Sequence, residues 1–110
     1  MTSSFEDLFS RFYLKAQDYT IPGLTDEVVK DMLGGYLRAV VSEPFVRRMF
    51  TSISIDEDVE EIEFEMREST DEDSDHWFVE ELLVRGMVVQ WLSPRYYSTL
   101  NTSQMFTNSE

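Results

Sequence analysis

The segment from about His76 to Leu92 is apolar on most sides when it is placed on a helix. A helix with so little polar surface lies at the centre of a fold or in an interface. Gly86 lacks a side chain and permits close approach of a neighbouring backbone. We therefore predict a central helix that ends at Ser93-Pro94, followed by a short fourth helix over about 95–100. The apolar residues of the segment are Val79, Leu82, Leu83, Val84, Met87, Val88, Val89, Trp91 and Leu92.

Two earlier segments repeat apolar residues every three to four positions, which is the spacing of an amphipathic helix. The first runs from about Phe5 to Tyr19, and Ser3 with Glu6 has the form of a capping box in front of it. The second begins after Thr25, a good N-cap residue, and continues to about Val41.

Small and rigid residues mark two points in the second helical pattern. Gly34 and Gly35 lower its helix propensity by roughly 1 kcal/mol each, so they predict either a close approach of another helix or a bend. Pro44 predicts a kink or a restart, with Ser42 as a possible new cap.

Between the second and third helices the apolar residues recur at every second position, which is typical of strands. The alternation covers residues 53–55 and 62–66, and glutamates occupy the opposite face of the later segment. The intervening link has no glycine or proline and does not specify a tight hairpin. Residues 68–75 are predicted to form a solvated loop.

These patterns predict one mainly α domain over residues 1–110. It would be a small bundle of three to four helices with a short acidic β element between the second and third helices. The N-terminal helices would cover about 1–52, the acidic strand and loop 53–75, and the core helix with the C-terminal segment 76–110.

The charge of the chain excludes several classes of function. It carries 22 acidic and 9 basic residues, a net charge of -13, which opposes binding to phosphate backbones and to anionic membrane surfaces. It contains no cysteine, which excludes disulfides, thiolate nucleophiles and zinc-thiolate sites. The acidic N-terminal sequence is not that of a secretory signal, and we expect assembly in a reducing cytoplasm.

Residues 56–81 contain 14 of the 22 acidic residues and one base, Arg67. The spacing lacks the central glycine of a calcium loop, and a carboxylate pair for glycoside hydrolysis needs a cleft that so short a chain is not expected to supply. The remaining interpretations are a solvated acidic surface, or one used for assembly or for repelling DNA. The acidic residues singled out in this region are Asp56, Asp58, Glu60, Glu61, Glu63 and Glu65.

His76, the only histidine, follows Asp73 and Asp75 at a predicted helix start and is interpreted as a surface residue. A single histidine cannot form a metal site by itself. No Ser-His-Asp order and no glycine-rich phosphate loop can be assigned. We therefore predict no catalytic residues, no metal and no cofactor.

Three aromatic residues near the C-terminus, Tyr96, Tyr97 and Phe106, lie on a short predicted element and a polar tail. Tyrosine at such places is enriched where a partner binds, so they belong either to an interface or to ordinary packing.

The basic residues Arg38, Arg47 and Arg48 lie together in sequence near the second helix. In a head-to-tail ring, such a basic patch could face the acidic patch of the neighbouring subunit.

The stretch GMVVQWLSPRYYSTLNTSQMF resembles the small head-tail connector proteins of tailed bacteriophages, especially those that infect Firmicutes. The matching features are the apolar helix that ends in Trp91-Leu92, Pro94 two residues later, and the run Ser98-Thr99-Leu100-Asn101-Thr102. The specific likeness covers residues 86–106. The order of helices and the acidic linker extend the resemblance over most of the chain.

The resemblance implies a virion structural protein of the neck: an adaptor, or head completion, subunit in a ring of roughly twelve-fold symmetry. Its partners would be the portal protein, a tail completion (stopper) protein and copies of itself, and DNA would pass through the channel without specific binding. On this interpretation the portal or subunit contacts would be made by Tyr96, Tyr97, Leu100, Met105 and Phe106. Some of the acidic residues singled out above, Asp56, Asp58, Glu60, Glu61, Glu63 and Glu65, would face the channel or an adjacent subunit.

Two other functions remain open from the sequence. The chain could be a DNA mimic whose carboxylates imitate phosphates on a host DNA-binding protein, although its acids are concentrated in one quarter of the chain. It could also be an acidic regulatory module.

Overall fold

The computed structural model describes residues 1–16 and 26–108, and the side chains of 1–16 and 27–94 within them. Among these residues, a short strand, three helices, a two-stranded hairpin and a long helix follow one another and pack as two layers, a small sheet and a layer of helices. In chain order the elements are β1 (Thr2–Ser4), α1 (Phe5–Lys15), α2 (Asp26–Ser42), α3 (Pro44–Arg47), β2 (Phe50–Asp56), β3 (Glu61–Met66) and α4 (Glu72–Asn108).

The strands form one antiparallel sheet in the order β1-β3-β2. Thr2 pairs with Glu63 on one side of β3, and Ile55 pairs with Ile62 on the other. The prediction of a mainly α bundle was therefore wrong, and the domain is an α+β mixture. The acidic β element is the middle and one edge of a three-stranded sheet, not an appendage between helices.

The strand β1 is the element that the sequence pattern missed. Ser3 lies inside β1 and is buried, whereas Ser4 caps α1, since its Oγ accepts a hydrogen bond from the Asp7 amide at 3.1 Å. The predicted capping box of Ser3 and Glu6 is thus displaced by one residue. A three-residue strand has no periodicity of its own, and it exists because the free edge of β3 offers it a partner.

The link between β2 and β3 turns tightly without glycine. The Asp56 carboxylate accepts hydrogen bonds from the amides of Asp58 and Val59 at 3.1 and 3.4 Å, which is the aspartate-closed turn that replaces a backbone turn. Glu60 adopts the left-handed conformation with φ 54°, and its carbonyl accepts a hydrogen bond from the Phe5 amide at 2.9 Å. The contact with the start of α1 therefore helps to hold a conformation that glycine usually supplies.

The helix restarts at Pro44, which is the first residue of α3. Glu43 is its cap, and the predicted cap Ser42 instead donates its hydroxyl hydrogen bond to the Arg38 carbonyl at 2.8 Å. A Cβ atom added at Gly34 or Gly35 would meet only the Arg38 guanidinium, at 3.6 and 3.9 Å. Among the described residues no other helix approaches these glycines closely, so of the two predicted alternatives the close approach is not found there. The predicted cap Thr25 lies outside the described residues.

Residues 68–71 are exposed and lie outside any helix or strand, as predicted for a solvated loop, whereas residues 72–75 already belong to α4. Asp71 accepts a hydrogen bond from the Ser74 amide at 3.0 Å, the geometry of a helix cap. The buried Asp75 accepts hydrogen bonds from the Ser69 hydroxyl at 2.6 Å and the Thr70 amide at 3.2 Å. Acidic residues near a helix N-terminus are favoured by its dipole, so α4 begins four residues before the predicted start.

The helix α4 also continues beyond the predicted end. Pro94 lies inside it, although proline cannot donate to the carbonyl four residues earlier. Ser93 bonds through its hydroxyl to the Val89 carbonyl at 2.8 Å, a local contact typical of bent but continuous helices. A 37-residue helix is roughly 55 Å long, close to the 57 Å longest dimension of the molecule. The predicted separate fourth helix is part of α4.

One face of α4 is fully buried, and the helix packs on both α1 and α2. Trp91 packs edge-on against Phe12 of α1, with ring centroids 5.9 Å apart. On the α2 side, a Cβ atom added at Gly86 would lie 2.7 Å from Cγ1 of Val40, so the close approach predicted at Gly86 is present. The fully buried residues of α4 are Val79, Leu83, Val84, Met87 and Trp91.

Candidate functional site

The outer face of the sheet is polar and acidic. Ile62 and Phe64 of β3 are fully buried against the helices, and the alternating residues Glu61, Glu63 and Glu65 point to the opposite face. Two residues along a strand span about 6.6 Å, so three carboxylates stand in a regular row in the middle strand. The flanking strands add hydroxyl and carboxylate side chains to this face, from Thr2, Ser4, Ser52, Ser54 and Asp56.

The turn of the β2–β3 hairpin extends this acidic surface. We call Asp56, Glu57, Asp58, Val59 and Glu60 the acidic pole; all five residues are exposed. Val59 is 59% exposed, although it is a large apolar residue. The acidic pole therefore combines four exposed carboxylates with one exposed apolar side chain.

Arg38 lies next to the acidic pole in space. Its guanidinium forms an ion pair with the Glu57 carboxylate, and both side chains are more than half exposed. An exposed pair of this kind contributes about 0–1 kcal/mol. The structure thus places Arg38 apart from the other two arginines of the predicted basic patch.

The opposite end of the hairpin carries three exposed arginines. Arg47 ends α3, Arg48 follows it, and Arg67 directly follows β3. Arg67 donates through Nε to the Arg48 carbonyl at 3.0 Å, and its amide donates to the Met49 carbonyl at 3.1 Å. These bonds fix the end of β3 beside the end of α3, and within the described part of the chain none of the three arginines forms an ion pair.

An exposed phenylalanine accompanies these arginines. Phe45, one helical turn or less from Arg47 and Arg48, is 57% exposed. The carboxylates nearest to these arginines in sequence are Glu43, Glu65 and Glu68. None of the described ion pairs joins one of them to Arg47, Arg48 or Arg67. We call Phe45, Arg47, Arg48 and Arg67 the basic pole. Sequence reasoning missed Arg67, because it lies in the acidic segment and only strand pairing brings it to α3.

A groove of about 680 Å³ lies between α1, α2 and the acidic pole. Phe5 and Phe9 line it with apolar surface, and Lys30, Arg38 and Glu60 line it with charges of both signs. A second hollow of about 590 Å³ lies over the acidic pole itself. Within the described residues no group of three or more histidine, aspartate and glutamate side chains is arranged to hold a metal ion.

A serine, the histidine and a glutamate meet between β1 and α4. The Ser3 hydroxyl donates to Oε1 of Glu80 at 3.0 Å, and Nε2 of His76 lies 3.0 Å from Ser3 Oγ and 3.2 Å from the same Glu80 oxygen. Nε2 also lies 2.9 Å from the Thr2 carbonyl, which can only accept. Nε2 therefore carries a proton in this arrangement.

This cluster is not a catalytic triad. A histidine base holds its serine and its acid with different ring nitrogens, whereas Ser3 and Glu80 contact the same, protonated nitrogen of His76. The imidazole is stacked on Phe64, with centroids 6.2 Å apart. The predicted surface histidine is thus a half-buried link between β1 and α4.

Arg11 extends this network into an ion-pair cluster. Its Nε lies 2.9 Å from Oε2 of the buried Glu80, and its Nη1 lies 3.0 Å from Oε1 of Glu81. Lys15 also reaches Glu81, at 3.0 Å. The Lys15 ammonium and then the Arg11 guanidinium hold the pKa of Glu81 below its usual range. The cluster fixes α1 on α4.

Hydrogen bonds before α4 lower two further carboxyl pKa values. The Ser69 hydroxyl, and then the hydroxyl and amide of Thr70, lower the pKa of Asp75, against the opposing effect of desolvation. The Ser74 hydroxyl and amide lower the pKa of Asp71. Both carboxylates therefore stabilise the start of α4 in their ionised form.

The outer face of α4 is partly apolar. Trp77, Phe78 and Val89 are 57%, 43% and 59% exposed. Beyond these residues α4 continues into its C-terminal part, which the sequence analysis assigned to a portal or subunit interface. The side chains of that segment lie outside the described residues, namely those of Tyr96, Tyr97, Leu100, Met105 and Phe106.

None of the described helices combines the length and the apolar composition needed to cross a membrane. Comparisons with protein-family models, curated proteins and solved structures found no match for this chain.

Proposed function

We propose that this chain is a virion structural protein, a head-tail connector subunit that forms a ring in the neck of a tailed bacteriophage. In this role it would bind the portal protein on one side and the tail completion protein on the other. The proposal begins from the resemblance of residues 86–106. The structural observation that supports it is the acidic outer face of the sheet, with its row of Glu61, Glu63 and Glu65.

An acidic face suits the wall of a DNA channel. The screening length at physiological salt is about 8 Å, so carboxylates repel phosphates only at short range. A channel lined in this way excludes DNA from its wall without slowing its passage by binding. The sheet is suited to this task because, within the described residues, the helices pack on one of its faces and the glutamates of the other are accessible.

Binding to the portal protein tests the proposal directly. The chain is mixed with the portal protein encoded in the same genome, the complex is sedimented, and the pellet is imaged by negative-stain electron microscopy. We expect a stoichiometric additional ring below the portal. Absence of co-sedimentation with the full-length chain would contradict the connector role.

Charge variants test the acidic face. Substitution of Glu61, Glu63 and Glu65 by lysine should impair ring assembly or DNA passage, and substitution by glutamine should have a smaller effect in the same direction. The matched control for the glutamine variant replaces three exposed glutamates elsewhere by glutamine and changes the net charge by the same amount. Infectious particles in normal number from the lysine variant would contradict the role of this face. The control positions are Glu6, Glu27 and Glu72.

The alternative function, a DNA-mimic inhibitor, is favoured by the same row of carboxylates. Their regular spacing of about 6.6 Å along β3 is comparable with the separation of neighbouring phosphates on a DNA strand. A mimic should bind a host nuclease or repressor in a salt-sensitive way, and duplex DNA should compete for that protein. If duplex DNA does not compete, the mimic is excluded.

A further inference from the structure

We propose that copies of this chain associate head to tail, with the acidic pole of one copy on the basic pole of the next. The poles lie at the two ends of one hairpin, which separates them by about 20 Å along the seven residues of β2. One copy therefore cannot bring its own poles together, but two copies can. This inference deepens the proposed function and depends on it for closure of the ring.

The described ion pairs leave the poles available. Arg47, Arg48 and Arg67 form no ion pair among the described residues, whereas Arg11 and Lys15 are engaged with α4. At the acidic pole the described ion pairs include only Glu57, which binds Arg38. Positive charge that is exposed and unpaired within a chain of net charge -13 is complementary to the acidic surface of another copy.

Each pole also has an exposed apolar residue. Val59 stands among the carboxylates of the acidic pole, and Phe45 stands beside the arginines of the basic pole; they are 59% and 57% exposed. An apolar centre with a charged rim is the usual composition of a protein interface. We infer that Val59 contacts Phe45 of the next copy, while the charges around them set the orientation.

The symmetry of the contact follows from its two different surfaces. Two unlike patches on one chain make a heterologous contact, which produces a ring when the rotation closes and a filament when it does not. Copies of net charge -13 repel one another at low ionic strength. At about 0.15 M salt this repulsion is screened beyond roughly 8 Å, so close pole pairs can determine association.

Sedimentation velocity over a series of concentrations at physiological salt tests the inference with two variants. In one, Arg47 and Arg48 are replaced by glutamate; in the other, Asp58 and Glu60 are replaced by lysine. We expect the wild-type chain to associate with increasing concentration, and each variant alone to bind itself at least about tenfold more weakly. An equimolar mixture of the two variants should associate again, because it restores opposite charges at every contact.

Circular dichroism of each variant verifies its folding, which is expected to persist because all four side chains are exposed. A wild-type chain that stays monomeric at every concentration overturns the inference, as does a mixture that fails to associate. Failure of the pole contact is distinct from failure of the connector role. If the wild-type chain forms a ring on the portal and both charge variants do so equally well, the pole contact alone is overturned. If the chain associates through its poles but does not bind the portal, the connector role alone is overturned.

Discussion

Substitution of Gly86 by alanine measures how tightly α4 packs on α2. The new methyl group would lie 2.7 and 2.8 Å from the two Cγ atoms of Val40, whereas carbon atoms in contact prefer about 3.5–4.0 Å. Val40 is buried on α2 and has a stiff χ1 angle. Either the valine or the helix must therefore move.

Two opposing terms determine the magnitude. Overpacking a core lowers the free energy of unfolding by about 1–3 kcal/mol. Replacing glycine by alanine within a helix raises it by roughly 1 kcal/mol. We expect Gly86→Ala to lower the free energy of unfolding by about 1 kcal/mol, which corresponds to about 4–8 °C in Tm for a domain of this size. Gly34→Ala is the matched control, since among the described residues its methyl group meets only Arg38, at 3.6 Å. It should stabilise the protein by up to roughly 1 kcal/mol.

Urea unfolding followed by tryptophan fluorescence provides the assay. With Trp77 replaced by phenylalanine, the fully buried Trp91 is the only tryptophan and reports on the core. Val40→Ala alone should cost roughly 2 kcal/mol because it leaves a cavity. In the Gly86→Ala background it should cost at least about 1 kcal/mol less, because it also removes the clash. If Gly86→Ala stabilises the protein as Gly34→Ala does, or the two changes add independently, the tight packing inferred here is refuted.

Three further predictions concern charged side chains. Asp75→Asn should destabilise the protein at neutral pH and should also reduce the loss of stability on acidification. The folded-state pKa of Asp75 is lowered. The stability that the ionised carboxylate contributes is therefore present above its ordinary pKa of 3.8 and is lost as the pH falls through the folded-state pKa. Unfolding at pH 7 and at several values down to pH 3 measures both effects, and an unchanged pH slope contradicts them. Glu80→Gln should lower the free energy of unfolding by about 2 kcal/mol at pH 7. The substitution removes the buried carboxylate that the Arg11 guanidinium and the Ser3 hydroxyl contact. A decrease below about 0.5 kcal/mol, which is typical of a surface substitution, would show that the network contributes little. Arg38→Ala should change stability by less than about 1 kcal/mol, because its pair with Glu57 is exposed, and a larger loss in the same urea assay would mean that Arg38 packs against the groove.

The helical segments could be predicted because their signals are local. The spacing of Phe5, Leu8, Phe9 and Phe12 identified α1, and all four residues are buried as an amphipathic face requires. The glutamates of β3 were correctly placed opposite its apolar residues, since alternation depends only on neighbouring positions. The start of α4 was placed too late because its hydrogen-bonding carboxylates resemble a solvated acidic loop in sequence.

The candidate site depended more on contacts between distant residues. Arg67 reaches Arg48 through strand pairing, while Arg38, which is closer to Arg48 in sequence, lies at the other end of the hairpin. Ser3 and Glu80 are 77 positions apart and meet only because β1 pairs with β3. No local pattern contains such information.

The sequence by itself determined the helical and strand periodicity, the apolar character of the last helix and the excess of negative charge, because each follows from the order and type of neighbouring residues. The tertiary structure decided that β1 completes a sheet, that the acids form one open face, and that acidic and basic poles lie at opposite ends of one hairpin. These features require segments far apart in sequence to pair and pack. Burial of shared apolar surface selects that arrangement, and the charged side chains are carried to their positions with it.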